Sequence, residues 1–360
     1  MIEATELSDL LADYTVPFLG KKLGSTEASF QAEEHDNNVK IIITLSFPMD
    51  IKFLEDDIRK YLSGLEFELL KPLNFEIKFK ISSYGNTNSQ PISGIKNIIA
   101  IASGKGGVGK STIANGIART LINFGVKVAL LDADIYGPSQ PLMQSILGEK
   151  ATSDDGKFIN PIIKDGLQVM SIGFLVDEKS AVAWRGPMAT SALLQLLNQT
   201  KWDEADFLII DLPPGTGDIQ LTLGQKIPVN GSVIVTTPQE IALLDVRRGI
   251  EMFKKVNIPL LGIIENLNLF TCPKCGHEEP LFGFDGGKSL AENENIQLCG
   301  SIPIDRELQE SVDKGDYNYF SRESKTQEIF KEITCNITAK LCSLGKNPKS
   351  IFPEIKVEKV

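Results

Sequence analysis

Nine consecutive residues, Gly104-Lys105-Gly106-Gly107-Val108-Gly109-Lys110-Ser111-Thr112, constrain this chain more than any other feature. Glycines at this density let successive backbone N–H groups curl around a phosphate. A lysine placed as Lys110 reaches the β and γ phosphates, and a hydroxyl placed as Ser111 reaches Mg²⁺. The flanks suit phosphate binding. An apolar run over residues 98–102 predicts a strand leading in, and residues 111–124 predict a helix leading out, whose N-terminus favours an anion. Ile113, Ile117 and Leu121 give that helix one buried face, and Gly125 suits its end. The pattern predicts a site for ATP and Mg²⁺ in an α/β fold, with the loop at the carboxyl end of a strand.

The rest of the chain agrees with that reading. Strand-like apolar runs at residues 98–102, 126–132, 207–211, 233–237 and 260–265 alternate with helical stretches. This predicts a P-loop NTPase fold with a mainly parallel sheet covered by helices. Asp132 and Asp134 stand at the end of the second run, where carboxylates orient Mg²⁺, its water or an attacking water. Asp211 closes the third run in the Walker B pattern, and residues 212–218 read as a loop that senses the γ-phosphate through backbone groups such as Gly215. Asn266 follows the fifth run.

The first 90 residues have the order α-β-β-α-β and predict a small α+β domain. Residues 82–94, rich in Gly, Asn, Ser and Pro, read as a linker. The expected division is 1–90 for the small domain, 91–96 for the end of the linker, 97–345 for the ATPase domain and 346–360 for a tail.

A formal charge of −10, from 37 basic and 47 acidic residues, argues against nucleic acid or an anionic membrane as a partner. The acidic N-terminus does not read as a secretory signal, and no apolar run approaches the roughly 18 residues of a membrane span. A cytoplasmic protein is expected. Its five cysteines then predict reduced thiols rather than disulfides.

Cys272-Pro-Lys-Cys275-Gly276 is a knuckle able to aim two thiolates at one metal centre. Two ligands leave a four-coordinate site half complete. The remainder would come from a symmetric partner or from His277, Cys299, Cys335 or Cys342. The spacing leaves three readings open: an iron–sulfur cluster shared across a dimer, a zinc knuckle, or an unliganded pair. Cys299, Cys335 and Cys342 lie among apolar neighbours and read as buried thiols.

Lys105 marks a resemblance to the deviant Walker A ATPases, a group that includes the nitrogenase iron protein and septum- and chromosome-positioning ATPases. More narrowly, the chain resembles the Mrp/ApbC family of iron–sulfur cluster carrier ATPases. The matching runs are 101–112, Leu131-Asp-Ala-Asp-Ile-Tyr-Gly-Pro-Ser139, Trp184-Arg-Gly-Pro-Met188, Asp211-Leu-Pro-Pro-Gly-Thr-Gly-Asp-Ile-Gln220, Thr237-Pro-Gln239 and Cys272-Pro-Lys-Cys-Gly276. The resemblance implies a homodimer sandwiching ATP, with Lys105 reaching the partner's nucleotide, Asp134 serving hydrolysis and Asn266 near the adenine. It also implies a bridging 4Fe-4S cluster on Cys272 and Cys275, received from cluster donors and passed to apo iron–sulfur proteins. The N-terminal segment resembles the small domain that precedes the ATPase in many bacterial members. It lacks the Asp-Pro and the cysteine many of those domains carry, so a docking or structural role is expected for it. Two rival readings keep the ATPase and drop the cluster: a zinc-stabilised ATPase, and a positioning ATPase of the MinD/ParA kind.

Overall fold

A computed structural model describes residues 4–35, 37–65, 72–85, 90–175 and 186–347. In chain order its first part comprises α1 (Ala4–Ala12), a short hairpin of β1 (Thr15–Val16) and β2 (Lys21–Lys22), β3 (Ser29–Glu34), β4 (Val39–Leu45), α2 (Ile51–Ser63) and β5 (Leu73–Phe79). Strands β3, β4 and β5 form a three-stranded sheet, antiparallel between β3 and β4 and parallel between β4 and β5. Ile41, Ile43 and Leu45 alternate inward along β4, and Leu54, Ile58 and Leu62 bury one stripe of α2. The Asp50 side chain caps α2 by accepting from Phe53 N.

The second part runs β6 (Ile95–Ser103), α3 (Lys110–Asn123), β7 (Val128–Asp132), α4 (Gln140–Met143), β8 (Ile162–Lys164), β9 (Leu167–Ser171), α5 (Gly186–Gln199), β10 (Ala205–Asp211), α6 (Asp218–Lys226), β11 (Gly231–Thr236), α7 (Glu240–Lys255), β12 (Leu260–Thr271), β13 (Glu278–Glu279), α8 (Gly286–Glu294), β14 (Leu298–Ile304), α9 (Arg306–Lys314) and α10 (Lys325–Cys342). Its sheet orders as β12-β11-β6-β10-β7-β9-β8, with both β13 and β14 pairing with β12. Among the described residues of this sheet, only β8 and β13 run antiparallel to their neighbours. Strands β7, β10 and β11 are buried along almost their whole length, as expected of a parallel sheet covered on both faces. Strand β6 is central, so the glycine-rich loop leaves the middle of the sheet.

Two features differ from the sequence reading. The run 260–265 continues to Thr271: β12 pairs with β14 up to Asn266, slips register between Asn266 and Phe270 with Leu267 in the left-handed region (φ 59°), and from Phe270 is joined by β13 as well as β14. The hairpin carrying the cysteines is therefore an extension of a core strand. The stretch 82–94, whose composition supplies turns, is also tied down at one end. Tyr84 is fully buried, its hydroxyl donates to Ser46 O and its N–H donates to Asn97 Oδ1 (2.9 Å). Gly85 N donates to Gly345 O (2.8 Å) and Asn347 N to Ser83 O (2.9 Å), so the chain where the expected tail begins closes over this segment.

The small sheet docks on α10. Ser46 Oγ lies 3.1 Å from Cys342 Sγ, Thr338 Oγ1 donates to Pro48 O (3.4 Å), and Lys331 pairs with Asp50 (2.8 Å). Helix α10 in turn packs on α3, where Phe330 lies against Gly116. Among the described residues, no helix is long and apolar enough to cross a membrane. Trp184, Arg185 and residues 348–360 of the expected tail lie outside the described residues.

Candidate nucleotide site and cysteine hairpin

The loop 104–109 is shaped by steric demand as well as by flexibility. Gly107 and Gly109 adopt φ of 82° and 84°, the left-handed region in which a side chain is strained. At Gly109 a Cβ would also collide with Asn266 Nδ2. The middle of β12 thus presses on the loop, and Asn266 Nδ2 donates to Val108 O (2.9 Å). The amide of Asn266, the residue the resemblance implies near the adenine, rests on the backbone of the phosphate loop.

Lys110 opens α3 and is 6% exposed, while Asp211, at the end of β10, is fully buried. Their side chains form a close ion pair. Lys110 Nζ also lies 3.3 Å from Ser111 Oγ and 3.9 Å from Asp134 Oδ2. Gln140 ties the acidic side together: its Nε2 donates to Asp211 Oδ2 (2.9 Å) and to Ser111 O (3.0 Å), and its backbone N–H donates to Asp132 Oδ2 (3.0 Å). Asp132 accepts further bonds from Ser171 Oγ (3.3 Å) and Asp134 N (3.2 Å).

Burial, and then the charge of Asp211, push the Asp132 carboxyl up to about 8, and burial also raises Asp134. Three carboxyl groups thus face one ammonium. This charge imbalance suits a divalent cation, and the oxygen-rich donor set of Ser111, Asp132 and Asp211 suits Mg²⁺.

The segment after Asp211 is held next to the loop. Gly215, at φ 103°, donates its N–H to Ser103 O (2.9 Å), and Gln220 Nε2 donates to Pro214 O (2.7 Å). Lys105 sits apart from Lys110, with its ammonium 3.5 Å from Asp245 Oδ2 on α7. The loop and switch residues 104–112, Asp132, Asp134, Asp211, Gly215 and Asn266 are therefore gathered at one end of the sheet. Gln220, the last residue of the matching run 211–220, joins them, and so do Gln140, Ser171 and Asp245, which were unforeseen. Gln140 immediately follows the run 131–139 and was within reach of the sequence reading; Ser171 and Asp245 carry no local signal.

Cys272 and Cys275 lie at the tip of the hairpin that β12 and β13 build. Cys272 N donates to His277 O (2.8 Å), and Gly276, at φ 72°, returns its N–H to Cys272 O (2.9 Å). Cys272 is half-buried and Cys275 exposed. Backbone N–H groups of Lys274 and Cys275 turned toward the Cys272 sulfur hold its thiol below the ordinary value. Cys299 and Cys335 are buried, and desolvation pushes both thiols up to about 12; Cys342 is half-buried beside Ser46. These three serve the core. Among the described residues, no further Cys, His, Asp or Glu side chain joins the two hairpin thiols in a group able to hold a metal. The two hairpin thiols therefore form a pair without further ligands from those residues.

Comparison with known proteins agrees with this geometry. The family model described as NUBPL iron-transfer P-loop NTPase matches residues 94–338. The chain is 43% identical over 340 residues to a protein named iron-sulfur cluster carrier protein from Escherichia coli (strain K12), covering 93% of this chain and 92% of that one. It is 41% identical over 287 residues to the iron-sulfur cluster transfer protein NUBPL of Mus musculus, covering 79% and 88%. Among solved structures it is similar to a nucleotide-binding protein in complex with ADP from Archaeoglobus fulgidus, at 37% identity and TM-score 0.56, covering 65% of this chain and 95% of that one. With a phosphate loop, its acidic partners and a cysteine hairpin on one end of the sheet, the chain belongs to the NUBPL family of iron-transfer P-loop NTPases, together with the iron–sulfur cluster carrier proteins.

Proposed function

We propose that this protein is an ATP-dependent iron–sulfur cluster carrier, in which two copies bind a 4Fe-4S cluster as cargo between their Cys272–Cys275 pairs and pass it to apo iron–sulfur proteins. One observation carries the reading. Strand β12 meets the phosphate loop at Asn266, midway along its length, and Cys272 follows directly on its carboxyl end, so the nucleotide and the thiols act on a single structural element. A pair of thiolates supplies half of a four-thiolate set, and a second copy supplies the rest. Apolar side chains that would line such a joint stand exposed around the hairpin: Leu281 and Phe284 on its return, and Ile241 and Leu244 on neighbouring α7.

In this reading Lys110 leaves Asp211 for the β and γ phosphates, and the backbone N–H groups of residues 106–112 cradle them. Ser111, with Asp132 and Asp211, would hold Mg²⁺, which would supply charge neutralisation at the phosphate oxygens. Asp134 orients the water that attacks the γ-phosphorus as the bond to the bridging oxygen of ADP breaks. Lys105 stabilises the developing charge on the partner's nucleotide, as an arginine finger does. The resulting change in dimer geometry alters how firmly the cluster is held.

The test is anaerobic reconstitution with iron and sulfide, with iron, sulfide, zinc and visible absorbance measured per dimer beside Cys272→Ser and Cys275→Ser. About four irons per dimer, lost in both variants, is the expected result. Stoichiometric zinc with no cluster would replace the carrier reading with a zinc-stabilised ATPase.

A further inference from the structure

We propose that Asp245 is a positioning residue for Lys105, holding this lysine on its own subunit until a partner's nucleotide claims it. The inference rests on the reading that Lys105 acts across a dimer.

The carboxylate is delivered to the loop by backbone fit. Gly104 is pressed so closely on α7 that a Cβ there would stand 2.6 Å from the Asp245 Cβ and 2.7 Å from its carbonyl carbon. Ser103 Oγ donates to Lys105 O (2.8 Å), which pins the lysine's backbone and leaves its side chain as the part free to swing. That side chain is 35% exposed and ends 3.5 Å from Asp245 Oδ2, whereas the Asp245 side chain is only 18% exposed.

Asp245 also serves a second cation, because Arg248 Nη1 donates to its other oxygen at 2.9 Å. This sharing sets the strength of the hold. If Lys105 were the only partner of Asp245, its departure would strand a largely buried carboxylate, a costly event. With Arg248 in place Asp245 stays paired, and Lys105 gives up only a partly exposed contact of modest worth. The hold is strong enough to park the lysine and weak enough for a triphosphate to win it.

The arrangement makes opposite predictions for the two neighbours. Asp245→Asn frees Lys105 and should tighten ATP-dependent dimerisation by about two- to fivefold, the range of a partly exposed ion pair. Arg248→Ala leaves Lys105 as the sole partner of Asp245, strengthens the parked state and should weaken dimerisation by a similar factor. Neither change should matter once Lys105 is Ala. A merely structural role for Asp245 would move both variants in the same direction and would persist without Lys105.

The experiment is sedimentation of the full-length protein over a concentration series with MgATP, for wild type, Asp245→Asn, Arg248→Ala, Lys105→Ala and the two double variants with Lys105→Ala. Opposite shifts that vanish in the Lys105→Ala background support the proposal. Unchanged or same-sign shifts, or shifts that survive in that background, overturn it while leaving the trans role of Lys105 standing. If Lys105→Ala alone alters neither dimerisation nor ATP hydrolysis, the trans reading fails and the proposal falls with it.

Discussion

In nucleotide-free protein, Asp211→Asn should be far more damaging than the loss of one surface charge, and ATP should repair the damage. Lys110 is 6% exposed and Asp211 fully buried, so neutralising the carboxylate leaves a buried ammonium whose remaining ion-pair contact among the described residues is the longer one to Asp134, at 3.9 Å. Breaking a buried pair in this way costs about 3–5 kcal/mol, and the remaining carboxylate places this case near the lower end, about 3 kcal/mol. An Asn at 211 cannot restore both contacts. Its oxygen can accept from Lys110 Nζ or from Gln140 Nε2, and its NH₂ group then faces the other donor. A bound triphosphate returns negative charge to Lys110, and in the variant it no longer has to pull the lysine from a competing carboxylate. ATP binding in EDTA should therefore tighten, by about tenfold for each 1.4 kcal/mol recovered, even as Mg²⁺-supported hydrolysis is lost. Urea denaturation without nucleotide and calorimetric titration of ATP, both in EDTA, read the two effects. A variant as stable as wild type, or one that binds metal-free ATP more weakly, would refute the account of Lys110 as a charge shared between Asp211 and the phosphates.

Three further outcomes are expected. Gly116→Ala should destabilise by about 1–3 kcal/mol, because the new methyl drives into the buried Phe330 ring; in urea titrations Phe330→Leu should recover part of that loss, and a neutral Gly116→Ala would count against this packing. Native-state alkylation followed by mass mapping should label Cys275 and Cys272 first, with Cys299 and Cys335 reacting only on unfolding; early labelling of the buried pair would contradict their burial. Asp132 carries its proton up to about pH 8 in the fold and to about 3.9 in the unfolded chain. The stability it contributes in metal-free protein is thus complete below about pH 4 and is lost as pH rises toward 8. Denaturation across that window should show a slope that Asp132→Asn flattens, and an equally steep slope in the variant would sink the assignment.

The nucleotide site was legible because its determinants are local. Glycines 104–109, the hydroxyl of Ser111 and the strand-terminal carboxylates Asp132 and Asp211 each declare their role within a few residues of chain. Partners set by tertiary packing were not legible. Asp245 reaches Lys105 from a helix 140 residues later, and nothing in the pattern around it separates it from an ordinary surface acid. The extension of β12 was missed because Glu265 and Asn266 interrupt the apolar run just where the register with β14 slips, at the left-handed Leu267. The hairpin β1–β2 has strands of two residues, too short for a periodic signal. In residues 82–94, a turn-forming composition concealed one aromatic anchor, Tyr84, whose neighbours come from three separate segments.

The docking of the small sheet on α10 has a consequence for related chains. Cys342 and Thr338 face Ser46 and Pro48, and Asn97 and Asn230 both bond to the segment around Tyr84. A chain that keeps the ATPase but lacks the preceding unit would expose this whole face to water. At these positions its sequence should trade small and uncharged residues for charged ones, so that the last helix alone records whether an N-terminal companion is present.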